Sequence, residues 1–231
     1  MNSETHNLLL QKIGSYQMSE AAKQLLQQHQ PLISVGVTAS GKDAVVSYIE
    51  QTSLWRRVIT HTTRAPRPGE TTGKDYWFVG EDKMLKLVDK QAFFEVKLVH
   101  GDRVYASSCE AYQDVIKAGR KPLLIVDEQG AEEISKYAHN LRPVFILPPN
   151  FEVWMERLGK RGPMTYGERL RRLKSAQFEL ERALAKEQFI LVVNHKISQT
   201  AREILGGTPD THTQQKNREL VKDLLKHIKT Y

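Results

Sequence analysis

Apolar positions along the chain gather into short continuous runs, and longer stretches of helical spacing separate them. The runs LISVG (32–36), PLLIV (122–126), VFIL (144–147) and FILVV (189–193) are short and rich in branched residues. Runs of this kind predict strands buried on both faces. Between them, the spacing predicts helices over 43–52, 110–118, 131–137, 151–158, 166–186 and 199–205, with Gly119 and Gly206-Gly207 as C-terminal stops. Strand and helix thus alternate from 32 to 205. That pattern predicts an α/β, three-layer αβα fold with a mostly parallel sheet.

One stretch, 58–110, breaks the alternation. It reads as an insertion of short strands at 58–63 and 76–79, a helix at 82–90, and an antiparallel pair, 92–99 with 104–106, around Gly101-Asp102. Its segment 64–74 is rich in Pro, Gly and charge, and reads as loop. Outside the alternating region, residues 5–29 predict two helical pieces broken near Gly14-Ser15, the second starting at Ser19-Glu20. Residues 208–213 read as a polar linker and 214–229 as an amphipathic helix with an apolar stripe of Leu220, Leu224, Leu225 and Ile228. The stripe suits packing on the core or on another subunit, so the oligomeric state stays open. The expected organisation is an N-terminal helical extension (1–30), a domain (31–207) and a C-terminal helix (208–231).

Composition narrows the class. The 231 residues are 40% hydrophobic and 26% charged, as in ordinary globular domains. No run approaches the length of a membrane span, and the N-terminus has no secretory pattern. The single cysteine, Cys109, excludes an internal disulfide and suits a reducing, cytoplasmic setting. The net charge of +7 could serve nucleic acid, phosphate-rich small molecules, or no ligand. The basic residues gather around 64–67, 157–174 and 216–229 rather than in one block.

The first chemical signal is Gly36-Val37-Thr38-Ala39-Ser40-Gly41-Lys42-Asp43, with the GxxxxGK spacing of a phosphate-binding loop between a predicted strand and a predicted helix. The glycines let backbone N–H groups curl around an anion, and the helix that follows turns its positive end toward it. Lys42 would reach the terminal phosphates of a nucleotide. Asp43 stands where a Ser or Thr hydroxyl is usual. A carboxylate is also a hard oxygen ligand for Mg²⁺, although it adds negative charge beside a polyphosphate.

The second signal is TTRAPRPGE (62–70) followed by GKDY (73–76). Arg64 and Arg67 on a proline-stiffened loop make a fork suited to a phosphate. These motifs, with Phe94-Glu95, Tyr105-Ala106-Ser107, Val126-Asp127, the arginines Arg157, Arg161 and Arg172, and Val193-Asn194, together resemble guanylate kinases in order along residues 31–205.

The resemblance implies a P-loop nucleoside monophosphate kinase that moves the γ-phosphate of ATP, with Mg²⁺, onto GMP or dGMP. Arg64, Arg67, Tyr76 and Tyr105 would hold the GMP phosphate. Glu95 and Asp127 would accept from the guanine N1–H and 2-amino group, and Thr60 and Ser107 would complete the base pocket. Residues 36–43 and Asn194 would bind ATP. Lys42, Arg157, Arg161 and Arg172 would act on the transferring phosphoryl group, the arginines from a lid over 157–175. Asp43, with Asp127, is the candidate for the metal. Carboxylates suit guanine because its N1/N2 edge donates, and a phosphate acceptor, already anionic, needs no general base. His61 and His100 read as packing or surface residues.

The chain departs from the family pattern at Asp43, at Ile125 in place of a common aspartate, at Pro163-Met164 in the lid and at His195 after Asn194. Two alternatives stand beside the leading reading. One is a related kinase, such as ribose 1,5-bisphosphate phosphokinase. The other is a non-catalytic guanylate-kinase-like binding module, which the retained Gly36, Gly41 and Lys42 disfavour. No nucleic-acid partner is expected, because the first two basic clusters already have phosphate roles, and no membrane partner, because no apolar run is long enough for a span.

Overall fold

In a computed structural model, which describes residues 3–99, 103–138, 141–160, 162 and 164–231, the chain divides into two compact units. One comprises Met1–Leu32 and Leu54–Leu141, the other Ile33–Ser53 and Arg142–Tyr231.

The second unit carries parallel strands β1 (Leu32–Val35), β8 (Val144–Leu147) and β9 (Ile190–Val193), with β8 between the other two. β8 is buried throughout, which is why VFIL has no polar alternation. Helices α3 (Lys42–Thr52), α7 (Phe151–Gly159), α8 (Tyr166–Ala185), α9 (Ile197–Gly206) and α10 (Thr211–Thr230) belong to this unit. α10 starts at its cap Asp210, whose Oδ1 accepts from Thr213 N at 2.9 Å, so the expected linker is shorter than its composition suggested. Of its stripe, Leu224 and Leu225 are buried with the neighbouring Val221, while Leu220 and Ile228 are half-buried, and the helix lies on α8 and β9.

The first unit carries helices α1 (Ser3–Gly14) and α2 (Glu20–Gln28), broken as expected, and a parallel pair, β2 (Trp55–Arg57) with β7 (Lys121–Ile125). Its second sheet has the order β4-β3-β6-β5, from β3 (His61–Thr62), β4 (Trp77–Phe78), β5 (Phe93–Val99) and β6 (Arg103–Ser108). Of the strand expected over 58–63 only β3, His61–Thr62, forms, and β2 ends before the stretch at Arg57. Val58 N donates to Leu123 O at 2.8 Å as the chain leaves β7, and Thr60 O accepts from Trp77 N at 2.8 Å as it joins β4. The chain therefore changes sheets within three residues, which a β-branched composition cannot reveal.

Three more helices complete the unit: α4 (Glu81–Asp89), α5 (Cys109–Lys117) and α6 (Glu128–Ser135). α6 begins three residues before its expected start, because Asp127 caps it and Gly130 lies within its first turn. Gly101-Asp102, His100, Arg161 and Pro163 lie outside the described residues.

Candidate active site

β5 and β6 pair antiparallel, and their register sorts side chains onto two faces. Glu95 pairs with Ser107 and Lys97 with Tyr105 on one face. Val96 with Ala106, and Val104, fall on the other, within an apolar cluster that includes Met84, Val88 and Phe93. The polar face lies against α6. Lys97 Nζ pairs with Glu133 at 2.9 Å, and Asp127 accepts from Gly130 N at 2.7 Å. Gly130 makes the approach possible: a Cβ there would lie 3.2 Å from Asp127 Oδ1 and 3.3 Å from Glu95 Cγ.

Glu95 is therefore a buried carboxyl beside a second carboxylate. Burial, and then the charge of Asp127, push its pKa up to about 8. The Ser107 hydroxyl across the strand pair works in the opposite direction, but it is not aligned as a hydrogen bond, and its Oγ is buried without a partner. A buried carboxyl and a buried hydroxyl with unspent capacity mark a place where a ligand's polar edge can compensate them.

On the same unit, Arg64 gathers the phosphate candidates. Its Nε donates to the Tyr105 hydroxyl at 3.2 Å, and its guanidinium lies over Tyr76 and Phe78, 5.3 and 5.5 Å from the ring centroids. Tyr76 and Tyr105 meet edge to face at 5.8 Å. Glu70, quoted in the motif but given no role by the sequence, occupies the Arg64 fork: Nη2 donates to its Oε1 at 3.0 Å and Nη1 lies 2.9 Å from Oε2. Glu70 also accepts from Arg67 N at 2.8 Å. The Arg64 hydrogen bond holds its carboxyl below the usual glutamate range. Burial opposes the charge on Arg64, yet the Glu70 and Tyr105 contacts outweigh it and raise its pKa. The Arg67 side chain is exposed. Thr60 is half-buried and takes part here through its carbonyl. His61 is a packing residue: it meets Phe93 edge to face at 5.5 Å, and burial lowers its pKa to about 4.

The second unit holds the glycine loop between β1 and α3. Gly36 and Gly41 have φ of 155° and 90°. A Cβ on Gly36 would meet Ile146 O at 2.6 Å, and one on Gly41 would meet Asn194 Nδ2 at 2.3 Å. Ala39 also takes a positive φ, 61°, so the loop is held in a shape its residues do not favour alone. Side chains from α7 and from the end of β9 hold it. Asn194 Nδ2 and Arg157 Nη1 both donate to Ser40 O, at 2.9 and 3.2 Å, and Arg157 Nη2 donates to Asn194 O at 3.1 Å. Trp154 Nε1 donates to Thr38 O at 2.8 Å. Val37 O accepts from Ser40 N, while Ser40 Oγ is buried without a partner. Lys42 and Asp43 stand in the first turn of α3, Asp43 exposed. Arg172 pairs with Glu168 at 2.7 Å.

Comparisons with known proteins give the family. The sequence model described as guanylate kinase matches residues 28–205. A guanylate kinase of Bifidobacterium longum (strain NCC 2705) is 35% identical over 179 residues, 75% of this chain and 90% of that protein. The chain belongs to the guanylate kinase family. A guanylate kinase of Paraburkholderia xenovorans (strain LB400) is 36% identical over 171 residues, covering 74% of this chain and 75% of the relative. The crystal structure of the guanylate kinase from Anaplasma phagocytophilum superposes with a TM-score of 0.58 at 27% identity, covering 81% of this chain and 86% of the other. The fold is accordingly that of the P-loop kinases, with parallel β-structure flanked by helices.

Within that family frame, several supports were not legible as site residues: Glu70, Gly130, Trp154 and the Lys97–Glu133 pair. Glu70 carried a signal in its place three residues after Arg67, and Gly130 in its place three residues after Asp127.

Proposed function

We propose that this chain transfers the γ-phosphoryl group of ATP to GMP or dGMP, giving ADP and GDP or dGDP. The observation that carries the reading is the buried Glu95 beside Asp127, with the unpartnered Ser107 Oγ across the strand pair. Two acceptors and a hydroxyl suit guanine, whose N1–H and 2-amino group donate together. They leave adenine badly paired, and they have no role toward an acceptor without a base, such as a sugar bisphosphate.

The assignments follow the chemistry of each cluster. Arg67, Tyr76 and Tyr105 take the acceptor phosphate, and Arg64 joins them by exchanging Glu70 for phosphate oxygens. Thr60 and Ser107 line the base. In the other unit, backbone N–H groups of 36–43 and the buried Ser40 Oγ take the donor phosphates, Lys42 neutralises their terminal charge, and Asn194 lies beside the adenine. Arg157, Arg161 and Arg172 supply positive charge where the phosphoryl group transfers. The domain from 31 to 207, with its acceptor insertion (58–110) and lid (157–175), carries the activity.

The donor set suits Mg²⁺. That ion is usually held by one or two carboxylates plus substrate phosphates, and Asp43 supplies an exposed carboxylate in the first turn of α3. No group of three or more His, Cys, Asp or Glu among the described residues forms a metal cage. When bound, Mg²⁺ would neutralise charge on the phosphates; Asp43 would hold it. Asp127, whose Oδ1 caps α6, serves the base. Among the described residues no helix is long and apolar enough to cross a membrane.

The test is ADP formation with ATP and Mg²⁺ against GMP, dGMP, AMP, UMP, CMP and ribose 1,5-bisphosphate, with Lys42→Ala as control. Turnover with GMP and dGMP that the control loses by ~10³-fold is expected, since positioning and charge neutralisation carry this chemistry. Turnover with ribose 1,5-bisphosphate alone would transfer the chain to the sister kinase, and silence with all acceptors would favour a binding module.

A further inference from the structure

The segment before residue 28 lies outside the stretch that matches the family, yet it reaches the backbone that carries Glu95. α1 lies on α4 and β5, with Leu9 fully buried among Met84, Val88, Phe93 and Val96. His6 Nδ1 meets Glu81 at 2.7 Å and Lys12 meets Asp89 at 2.8 Å, so the helix is tied along α4. Just past it, the Tyr16 hydroxyl donates to Phe93 O at 2.6 Å and accepts from Phe93 N at 2.9 Å.

Phe93 sits at an irregularity. Between Phe93 and Glu95 the strand advances two residues while its partner advances one, from Ser108 to Ser107. Phe94 is the extra residue, and it turns to Tyr112, with ring centroids 4.8 Å apart. A bulge of this kind reverses the alternation of faces beyond it. In a regular strand, Glu95 would share a face with Phe93 and enter the apolar cluster. With the bulge, Val96 takes that face and Glu95 joins Lys97 on the polar face toward α6. β5 is also the last strand of its sheet, so Phe93 depends on a side chain for its outward backbone groups.

We propose that Tyr16 is a positioning residue for acceptor recognition: by holding both backbone polar groups of Phe93, it fixes the bulge that turns Glu95 toward the guanine. This rests on the reading of Glu95 as the base reader. Phe93 is fully buried, so removing the hydroxyl strands an N–H and a C=O away from water. Burial raises the Tyr16 pKa well above the ordinary tyrosine value, which keeps the hydroxyl a donor at every working pH.

Three variants of the full chain test it: Tyr16→Phe, Leu9→Ala and Glu95→Gln. Tyr16→Phe is expected to raise KM for GMP by ~10-fold, as one stranded pair allows. It should also shrink the preference for GMP over inosine monophosphate, which lacks the 2-amino group, while KM for ATP and kcat stay within about twofold. Leu9→Ala removes packing from the same extension without touching Phe93's backbone bonds. It should lower Tm and leave KM for GMP unchanged. The proposal is overturned if Tyr16→Phe leaves KM for GMP unchanged while Glu95→Gln raises it. It is also overturned if Leu9→Ala shifts KM for GMP as much as Tyr16→Phe, since Tyr16 would then act only through stability. If Glu95→Gln itself leaves GMP binding and selectivity intact, the base-reader assignment is what fails, and Tyr16's role falls with it.

Discussion

Gly41→Ala is expected to lower kcat/KM for ATP by ~10²–10³-fold while the far-ultraviolet circular dichroism stays that of the parent. Two independent effects reach the same atoms. Gly41 has φ 90°, a conformation that an alanine holds only with strain on the order of 1–3 kcal/mol. Its new Cβ would lie 2.3 Å from Asn194 Nδ2, so the amide must leave. Asn194 then loses its bond to Ser40 O, one of the two side-chain bonds on that carbonyl, the other being Arg157's. A backbone cradle works only while its N–H groups point at one place, so its anion affinity falls more than one lost hydrogen bond would suggest. Isothermal titration with ATP reads the binding, and coupled ADP release reads the turnover. Parental binding would mean that Asn194 moves aside freely and that the loop's shape is not what binds phosphate.

Gly41 also shows what a sequence can carry. Its spacing to Gly36 and Lys42 announces phosphate binding, because only the backbone has to be right and glycine reports the backbone. The partners that keep the loop in shape, Trp154, Arg157 and Asn194, come from more than a hundred residues later in the chain. Arg157 and Asn194 were visible only through the family resemblance, and Trp154's indole bond to Thr38 O was not visible at all. The strands of unbroken apolar composition were legible almost to the residue, as with Val144–Leu147, because burial on both faces leaves a contiguous mark.

The acceptor side was less legible for a physical reason. FFEVKLV is buried along its first four positions, and its two phenylalanines hide the bulge, since both faces there are apolar. Nothing in the order of residues says that Phe94 is the extra one. Similarly, Gly130 lies just before the helix expected over 131–137, yet it belongs to α6, where its missing Cβ lets Glu95 come close. Glu70 reads as the end of a loop motif. In the fold its carboxylate fills the Arg64 fork and accepts from the Arg67 backbone. Two of these three, the bulge and Gly130, are matters of close approach, and Glu70 of charge compensation across a loop. A pattern of hydrophobicity records none of them.

Binding of GMP is expected to tighten as pH rises from 7 to 8.5. Burial and the neighbouring Asp127 raise Glu95 to about 8, so the free protein carries this carboxyl mostly protonated at neutral pH. The guanine edge offers two donors and needs the ionised form as acceptor. The apparent KM is the intrinsic value divided by the ionised fraction. A group with that pKa is roughly one-tenth ionised at pH 7 and three-quarters at pH 8.5, so KM for GMP should fall roughly eightfold across this window. The window avoids the second ionisation of the GMP phosphate, near pH ~6. KM for ATP, read on the same samples, should not follow the trend. Stability runs the other way. A carboxyl whose folded pKa is raised contributes most below its unfolded value, and that contribution is lost as pH rises through about 8. Melting temperature without ligand should therefore decline over the interval in which GMP binding improves. Glu95→Gln should remove both trends, with a uniformly weak KM for GMP. A flat wild-type KM between pH 7 and 8.5 would mean that Glu95 either is ionised throughout or does not meet the base.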